Sequence, residues 1–308
     1  MTLHAADEPL VSVGFASYNR PSGAHAALTA ITSQTYRNLD IIISDNASTD
    51  DRTREVIRGF KVADSRIRLF EQPQNIGQVA NFEFLYHQAI GELFVWAADD
   101  DAWHPRFIET CVDGLKRHPT AVLSFCHVRK YDPLTLHTLV ADHDDGVSDL
   151  SESRTARMAT YLRKSASNEC FYGVYRKSAI TPWFFRRAYG NDHIALLSLL
   201  KHGAIVSSPH VLFSSGVAGL GTSRTNYSRY YDRPLMKMLV TLNSTLVWFG
   251  EFQHYVWTDS GLTVRERLTL SRLVIRRFLQ YRFLRRFAGD VLALIRNPWL
   301  PVTALQSK

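Results

Sequence analysis

Three consecutive carboxylates are the residues with the most evident chemistry in this sequence. Asp99, Asp100 and Asp101 follow the apolar run from Leu93 to Ala97 after a single residue, Ala98. Adjacent carboxylates repel one another, so a structure that gathers them usually supplies a compensating cation. Hard oxygen ligands suit Mg²⁺ or Mn²⁺, and either ion could bridge the protein to a diphosphate. The alternative is an acidic turn that only caps a helix starting near Pro105.

Polar side chains also follow the first two apolar runs of the chain. The first run ends in Ser-Tyr-Asn-Arg-Pro at residues 17–21, and the second ends at Ser44, before Asp45 and Asp50. An acidic side chain at the end of a strand can accept hydrogen bonds from a base imide or a ribose hydroxyl. Capping of the following helix is an equally simple role for Asp45 and Asp50.

A parallel sheet would gather these residues at one edge. From residue 10 to about 130, short apolar runs alternate with amphipathic stretches of helix length, the pattern of βα units. Apolar residues at positions 24, 27, 28 and 31, after Pro21, predict the first helix. In open α/β sheets, ligands bind beyond the carboxyl ends of the strands. The predicted strands are Leu10 to Ala16, Asp40 to Ser44, Ile67 to Glu71, Leu93 to Ala97 and Ala121 to Val128.

The second half of the chain has weaker patterning. The polar residues 142–146 predict a solvated loop, and helical periodicity returns in Arg154 to Lys164 and in Asp192 to His202. An acidic string with one histidine at 142–145 could bind a metal, although such a string is more often a hydrated loop. Glycines at 216, 219 and 221 indicate a further loop, in which Arg224 is a candidate lid over a diphosphate. An exposed arginine without a function fits that position equally.

In combination, the motifs of this chain resemble the family 2 glycosyltransferases. The resemblance covers about residues 10–215, and an ordered combination of motifs is far more specific than any one of them. It implies the GT-A fold, an α/β fold with a mostly parallel central sheet flanked by helices, here with a C-terminal helical extension. The motifs are Ser17-Tyr18-Asn19-Arg20, Ser33-Gln34-Thr35-Tyr36, Ile43 to Asp50, Asn75-Ile76-Gly77, Asp99 to Asp101 with Pro105, and Asn191-Asp192 before a helix.

The resemblance implies a donor site, a metal and a catalytic base at the matching positions. Asp100 and Asp101 would hold Mn²⁺ or Mg²⁺, which offsets the charge on a departing diphosphate. Asp192 matches the base that removes the proton from an acceptor hydroxyl as its oxygen attacks the anomeric carbon. Because the attack comes from the face opposite the leaving nucleotide, configuration would be inverted. The residues implied to bind the nucleotide are Ser17, Tyr18, Asn19, Arg20, Asp45, Asn75, Gly77 and Asp99.

The sequence departs from the family pattern at two positions. Aligned on the proline after the acidic run, the usual Asp-x-Asp-Asp has its first carboxylate replaced by Ala98. Either Asp99 takes that place, or the two acids after it hold the metal alone. At the base position the family usually has Glu-Asp, whereas this chain has Asn191-Asp192, which keeps the base.

The C-terminal residues combine basic and large apolar side chains. Between Val264 and Arg296 the chain carries nine arginines against two acidic residues, with leucine, isoleucine, valine and phenylalanine between them. This pattern is typical of a helix in the interface of an anionic membrane. A helix packed on the catalytic domain, with solvated arginines, is the alternative. The formal net charge of +7 suggests an anionic partner without choosing among nucleotide, nucleic acid and lipid.

Length and composition suit one large domain with a C-terminal appendage, since 45% of the 308 residues are hydrophobic. We expect a catalytic domain over residues 1–232, with a donor half at 10–130 and an acceptor half at 131–232. Residues 233–308 are expected to form a helical membrane-surface segment. The three cysteines include no CxxC pair, and no signal sequence or spanning segment is evident. A cytoplasmic protein on the inner face of the cell membrane is the resulting expectation.

The function expected from the resemblance is sugar transfer from a nucleotide-diphosphate donor, a UDP-sugar above all, to a glycan or lipid-linked acceptor. Such a reaction belongs to polysaccharide or cell-envelope synthesis. A Rossmann oxidoreductase is disfavoured, because Ser-Tyr-Asn-Arg-Pro stands where its glycine fingerprint belongs, and no P-loop motif is present. A catalytically degenerate nucleotide-binding protein stays open. A nucleic-acid-binding module using the arginines also stays open, although no nucleic acid is expected because the chain shows no reading element.

Overall fold

The computed structural model describes most of the chain. The described residues are 8–131, 138–143, 147–165, 167–216 and 234–280, with residues 284, 285, 288, 289 and 292 beyond them. The predicted lid residue Arg224 lies outside the described residues, as does the glycine-containing loop around it.

In the described part of the chain, one sheet of nine strands forms the centre of the fold. The strands are β1 (Val11–Ser17), β2 (Leu39–Asp45), β3 (Ile67–Glu71), β4 (Leu93–Ala97), β5 (Asp101–Trp103), β6 (Ala121–Tyr131), β7 (Thr138–His143), β8 (Val174–Arg176) and β9 (Ala204–Gly216). Their order is β3-β2-β1-β4-β8-β6-β9-β5, with β7 beside β6. The neighbours from β3 to β4 are parallel, and so are β6 and β9, whereas β8 runs antiparallel between β4 and β6.

Helices cover this sheet and extend beyond it at the C-terminal end. They are α1 (Pro21–Thr32), α2 (Asp51–Ala63), α3 (Gln78–Gln88), α4 (Phe107–Arg117), α5 (Arg154–Lys164), α6 (Asn191–Leu199), α7 (Pro234–Leu242), α8 (Ser244–Thr258) and α9 (Val264–Phe278). Pro21 begins α1, as its fixed φ and missing N–H allow at a first helical position. None of the helices in the described residues combines the length and the apolar character that crossing a bilayer requires.

Two of the parallel strands are buried along their whole length, as expected where helices cover both faces of a sheet. All residues of β2 and β4 are buried. Trp96 is fully buried and packs against Phe94, Phe171 and Phe184, with ring centroids 4.7, 5.1 and 5.5 Å away. This aromatic cluster joins the donor-side strands to the second half of the chain.

The predicted strands and helices are present, with one correction in the second half. The structure extends β6 to Tyr131 and pairs it with β7, so positions 142 and 143 lie in a strand, not in the predicted solvated loop. The physical reason is that the longer β6 offers unpaired backbone groups, which the following segment satisfies as an antiparallel neighbour. Residues 144–146 lie outside the described part of the chain.

The C-terminal helices pack on the second half of the sheet through polar contacts as well as apolar ones. Arg154 on α5 donates two hydrogen bonds, of 2.7 and 2.8 Å, to the carboxylate of Glu266 on α9. Asp259, which follows α8, accepts from the indole N–H of Trp183 at 2.9 Å and from the ammonium of Lys201 at 2.6 Å. These contacts fix α8 and α9 against the segments on either side of α6.

Candidate active site

The ends of β1, β2 and β4 bring the predicted donor residues together. In the parallel register Ser17 is opposite Asp45, and Phe15 is opposite Ala97. The chain leaves β1 toward β2 on one side and returns from β3 to β4 on the other. The gap between β1 and β4 is therefore the topological switch point, where open α/β sheets bind ligands.

Asn19 ties the loop after β1 to the loop after β2. Its φ of 53° is in the left-handed region, which asparagine tolerates better than most residues. The Asn19 N–H donates to the Ser48 hydroxyl at 2.9 Å. The Asn19 side-chain oxygen accepts from the N–H groups of Thr49 at 2.8 Å and Asp50 at 3.0 Å. Asn19 is thus a brace between two loops of the candidate site.

Asp45 and Asp50 differ in whether they cap the helix that follows them. The sequence alone left helix capping open for both residues. Asp50 caps α2, because its side chain accepts from the N–H of Arg52 at 3.0 Å. Asp45 does not cap that helix. It is 1% exposed, and its carboxylate accepts from the N–H of Ser48 at 3.2 Å and from the Ser48 hydroxyl.

The three consecutive carboxylates are in three different environments. One Arg20 nitrogen, Nη1, lies 3.1 Å from Asp99 Oδ1 and 3.2 Å from Asp100 Oδ2. Burial raises the pKa of Asp99 to about 6, and Arg20 opposes part of that rise. Asp101 opens β5, is 7% exposed, and has an Oδ2 without a hydrogen-bond partner among the described residues. Burial and the charge of Asp100 raise the pKa of Asp101 well above its ordinary value.

This acidic turn does not cap the helix that follows it. Helix α4 begins at Phe107 after the N-cap residue Arg106, whose own side chain makes no capping hydrogen bond. In the first turn of α4, the N–H of Ile108 donates instead to the side-chain oxygen of Gln34, at 3.0 Å. The helix-cap alternative for the three carboxylates is therefore wrong.

The donor set at this turn fits a hard divalent cation. Asp99 and Asp100 already converge on one cationic nitrogen, and the buried Asp101 Oδ2 has no hydrogen-bond donor among the described residues. Within the described residues, no three acidic, cysteine or histidine side chains are arranged as a complete metal cage. Mg²⁺ is commonly held by one or two carboxylates, with substrate phosphates and water filling its remaining positions. The carboxylates of this turn are thus ligands of the kind that a hard divalent cation takes when other groups fill its remaining positions.

Asn75 and Gly77 form a turn that is held to the loop after β2 by hydrogen bonds. The Asn75 side-chain oxygen accepts from the side-chain amide of Asn46 at 3.1 Å and from the N–H of Gly77 at 2.9 Å. The Asn46 side-chain oxygen accepts from the N–H of Ile76 at 2.9 Å. Gly77 has a φ of 84° and precedes α3, a conformation that glycine adopts without strain. Asn46 was not among the expected site residues, although its place directly after Asp45 is a signal that could have identified it.

Asp192 lies in the first turn of α6, on the other half of the sheet. Its Oδ1 accepts from the N–H of His193 at 2.9 Å, and its Oδ2 accepts from the side-chain amide of Asn168. The neighbouring His193 is in turn held by the Tyr161 hydroxyl, 2.7 Å from its Nδ1. Asn168 is a second residue that the sequence did not single out.

The segment that holds Asp192 is electrostatically linked to the acidic turn. Glu169, next to Asn168, is one of the charges that raise the pKa of Asp101. Burial opposes ionisation of Glu169, but hydrogen bonds from Lys130 and Ser167 outweigh it and lower the pKa of Glu169. Glu169, one residue from the hydrogen-bond partner of Asp192, thus lies within electrostatic range of Asp101.

Comparison with known proteins agrees with this architecture. The structure resembles TarS from S. aureus, with a TM-score of 0.65 and 12% identity over 94% of this chain and 77% of that one. It also resembles the mannosyltransferase PcManGT from Pyrobaculum calidifontis in complex with GDP-Man and Mn²⁺, with a TM-score of 0.58 and 16% identity over 96% of this chain and 78% of that one. The architecture is therefore the GT-A fold of glycosyltransferases.

Sequence comparison assigns the family. The sequence model of "Glycosyl transferase family 2" matches residues 12–183, so the chain belongs to that family of glycosyltransferases. A relative in Campylobacter jejuni subsp. jejuni is the GalNAc(5)-diNAcBac-PP-undecaprenol beta-1,3-glucosyltransferase, 25% identical over 72% of this chain and 71% of its own length. Another, in Escherichia coli, is the UDP-Glc:alpha-D-GlcNAc-diphosphoundecaprenol beta-1,3-glucosyltransferase WfgD, 23% identical over 65% of this chain and 73% of its own length.

Proposed function

We propose that this glycosyltransferase moves a sugar from a UDP-sugar to a hydroxyl of a lipid-linked glycan, with inversion of configuration. The observation that carries the proposal is the contact of Arg20 with Asp99 and Asp100 at the switch point between β1 and β4, with Asp45 at the end of the adjacent strand β2. In this proposal the buried carboxylate of Asp45 would accept from a nucleoside, and the acidic turn would bind a metal-bound diphosphate. Both features are what a nucleotide-sugar donor requires.

The donor would bind along the ends of β1 and β2. Hydrogen bonds from Ser48 hold the Asp45 carboxylate, whose remaining lone pairs would accept from a base imide or ribose hydroxyl. Tyr18, 38% exposed, offers an aromatic face for the base. Ser17, Asn19, Asn75 and Gly77 complete the nucleotide-binding set expected from the family, Asn19 and Gly77 as loop braces.

Mn²⁺ or Mg²⁺ would be held by Asp100 and Asp101, with Asp99 beside them. When bound, the ion supplies positive charge that offsets the charge developing on the departing diphosphate. Arg20 adds a second positive charge at the same place, because its guanidinium already contacts two of the three acids. Arg224 stays a prediction for a lid residue.

Asp192 would act as the general base. Its carboxylate would take the proton of the acceptor hydroxyl while the hydroxyl oxygen forms a bond to the anomeric carbon. The bond from that carbon to the donor diphosphate breaks, and the nucleoside diphosphate leaves with the electron pair. Asn168 and the N–H of His193 hold one carboxylate oxygen each, which fixes the orientation of the base. Because attack and departure occur on opposite faces, configuration inverts.

A lipid-linked acceptor at the inner face of the membrane is supported by two kinds of observation. The named relatives act on undecaprenol-diphosphate acceptors. The C-terminal helices of this chain, with their arginines and exposed apolar residues, are packed on the half that carries Asp192. A reaction of this kind belongs to polysaccharide or cell-envelope synthesis.

The donor assignment can be tested by calorimetric titration with UDP, GDP and dTDP, each with Mn²⁺ or with a chelator. The proposal predicts metal-dependent binding of UDP that is lost in Asp100→Ala and retained in Asp113→Ala, a control at an exposed acid on α4. Asp192→Asn should keep donor binding and lose turnover. Binding of no nucleotide under any metal condition would rule out the donor site. Unchanged turnover in Asp192→Asn would rule out the base.

A further inference from the structure

Helix α9 has one packed side and one exposed side. It buries Leu270, Ser271 and Val274 against the rest of the protein. The exposed side contains large apolar residues, although such residues are normally buried in a helix of a globular protein. Val264, Leu268, Ile275 and Leu279, the last at the helix end, are 70%, 43%, 41% and 57% exposed.

The exposed residues of α9 form two adjacent stripes. With 3.6 residues per turn, the four apolar residues fall within about 60° of arc around the helix axis. Arg265, Arg272 and Arg276 are also exposed, and they fall within the next roughly 60° of arc. We call these seven residues the arginine face. Its two stripes run side by side along the helix, apolar on one side and cationic on the other.

The arginines of α9 belong to two classes. Arg267 and Arg277 are structural, since they donate to backbone carbonyls, Arg267 to Trp257 at 2.8 Å and Arg277 to Leu162 at 2.6 Å. The three arginines of the arginine face have no hydrogen-bond or ion-pair partner in the part of the chain that the structure describes. The acidic residue of α9, Glu266, is engaged on the packed side by Arg154. Among the described residues, the positive charge of the arginine face is therefore not offset by any ion pair.

We propose that the arginine face is the surface by which the protein lies on an anionic phospholipid bilayer. The three guanidinium groups would meet phosphate headgroups, and the apolar stripe beside them would enter the boundary of the acyl chains. A nucleic-acid backbone would match the arginines but would leave the four apolar residues in water. A bilayer interface offers phosphate groups to the cationic stripe and an apolar environment to the apolar stripe.

This inference deepens the proposed function and rests on it for the identity of the acceptor. Helix α9 is joined to α5 by Arg154 and Glu266 and packs against α8. Helix α8 is fixed to the segment before α6 by the ion pair between Arg186 and Glu251, at 2.8 Å. A membrane bound at α9 would thus hold the half of the protein that carries Asp192 close to a lipid-linked acceptor.

The test is sedimentation of the full chain with phosphatidylcholine vesicles, with and without phosphatidylglycerol. Arg265→Gln, Arg272→Gln and Arg276→Gln are combined in one variant. A control removes three exposed charges elsewhere, by Arg37→Gln, Lys61→Gln and Lys116→Gln. We expect binding that requires phosphatidylglycerol and weakens as salt is raised from about 0.1 to 1 M. Each arginine near the surface should contribute about fivefold in vesicle affinity, so the first variant should bind on the order of 100-fold more weakly than the wild type. The control variant should bind with an affinity close to that of the wild type.

A second variant tests the apolar stripe. Leu268→Gln with Ile275→Gln should also weaken vesicle binding, while both residues are exposed enough for the fold to be kept. Equal binding of the arginine variant and the control would overturn the proposal, as would absence of wild-type binding to anionic vesicles. A wild-type dimer in light scattering that dissociates in the Leu268 variant would also overturn it, because a second copy would then cover the face. UDP titration without vesicles should be unchanged in all variants, so failure of the membrane surface and failure of the donor site can be distinguished.

Discussion

Gly23, on the first turn of α1, offers a sharp test of the donor site. A Cβ at this position would lie 2.1 Å from the carbonyl oxygen of Asp99 and 3.2 Å from its carbonyl carbon. Ordinary contacts between carbon atoms lie near 3.5–4.0 Å, so Gly23→Ala has to displace the acidic turn by roughly 1 Å. The neighbour is backbone, so no side chain can simply rotate away.

The size of the effect follows from the strain. Overpacking of this kind costs about 1–3 kcal/mol, partly offset by the roughly 0.5–1 kcal/mol that alanine gains over glycine in a helix. Without ligand, the variant can relieve the strain by moving the acidic turn. Donor binding has to return the turn to its original position, and this costs the same strain energy. Since 1.4 kcal/mol is tenfold in affinity, the Kd for UDP with Mn²⁺ should rise about 5- to 100-fold. Thermal unfolding should show only a small loss of stability.

Gly59→Ala provides the matched control. Gly59 lies on the exposed side of α2, and a Cβ there would meet nothing within 4 Å. This variant should gain about 0.5–1 kcal/mol of stability from helix propensity, with the Kd for UDP unchanged. If calorimetry gives Gly23→Ala and Gly59→Ala the same Kd, the close contact between α1 and the acidic turn is not part of the donor site.

Three further predictions follow from the charges and hydrogen bonds of the site. Because burial raises the pKa of Asp99 to about 6, Mn²⁺ affinity without nucleotide should fall as the pH drops through 6. In a calorimetric titration Asp99→Asn should weaken that dependence, and the remainder should come from Asp101, whose pKa burial also raises. Hydrogen bonds from Arg154 lower the pKa of Glu266 from 4.5 to about 2. The ionised Glu266 therefore stabilises the fold above pH 4.5, and this stabilisation is lost as the pH falls toward 2. Glu266→Gln should therefore lower the free energy of unfolding by about 1–3 kcal/mol at neutral pH, a deficit that shrinks in acid denaturation series below 4.5. Asn168→Ala should lower kcat about tenfold with an unchanged Kd for UDP, because it releases one oxygen of Asp192.

Each of these predictions has an outcome that contradicts it. A Mn²⁺ affinity that is flat from about pH 7 to 5 would show that Asp99 does not affect the cation. An unfolding deficit of Glu266→Gln that is constant down to about pH 3 would show that ionisation of Glu266 is not what joins α9 to α5. Loss of kcat and of UDP binding together in Asn168→Ala would indicate general misfolding instead of a misoriented base.

The donor half of the fold could be predicted because its signals are local. The run Leu93 to Ala97 is apolar throughout, and the structure places it as β4 with its acidic residues at the carboxyl end. Motif order then placed Asp45 and Asn75 at neighbouring strand ends. Local spacing could not decide whether Asp45 or Asp50 caps α2, since that depends on the turn that Asn19 braces from another strand.

What could not be predicted depends on contacts between residues far apart in the chain. Asp101 is buried because β5 pairs with β9, where Asp101 lies opposite Ser215. The residues around the acidic run contain no signal that predicts this pairing. The hydrogen bond from Asn168 to Asp192 joins two segments with no shared motif. In the C-terminal helix, the sequence composition does not distinguish one arginine from another. The structure does, because Arg277 donates to a backbone carbonyl of α5, whereas Arg272 is exposed.

The most direct measurement is transfer of labelled sugar from UDP-sugars to undecaprenyl-diphosphate-linked acceptors, followed by chromatography of the lipid fraction. With Mn²⁺ present, wild-type protein should move label from one UDP-sugar into the lipid, and the product should have the inverted anomeric configuration. Asp192→Asn should bind UDP as the wild type does and transfer no label. Transfer by Asp192→Asn at the wild-type rate, or binding of UDP-sugars without transfer to any lipid-linked acceptor, would contradict the proposed function.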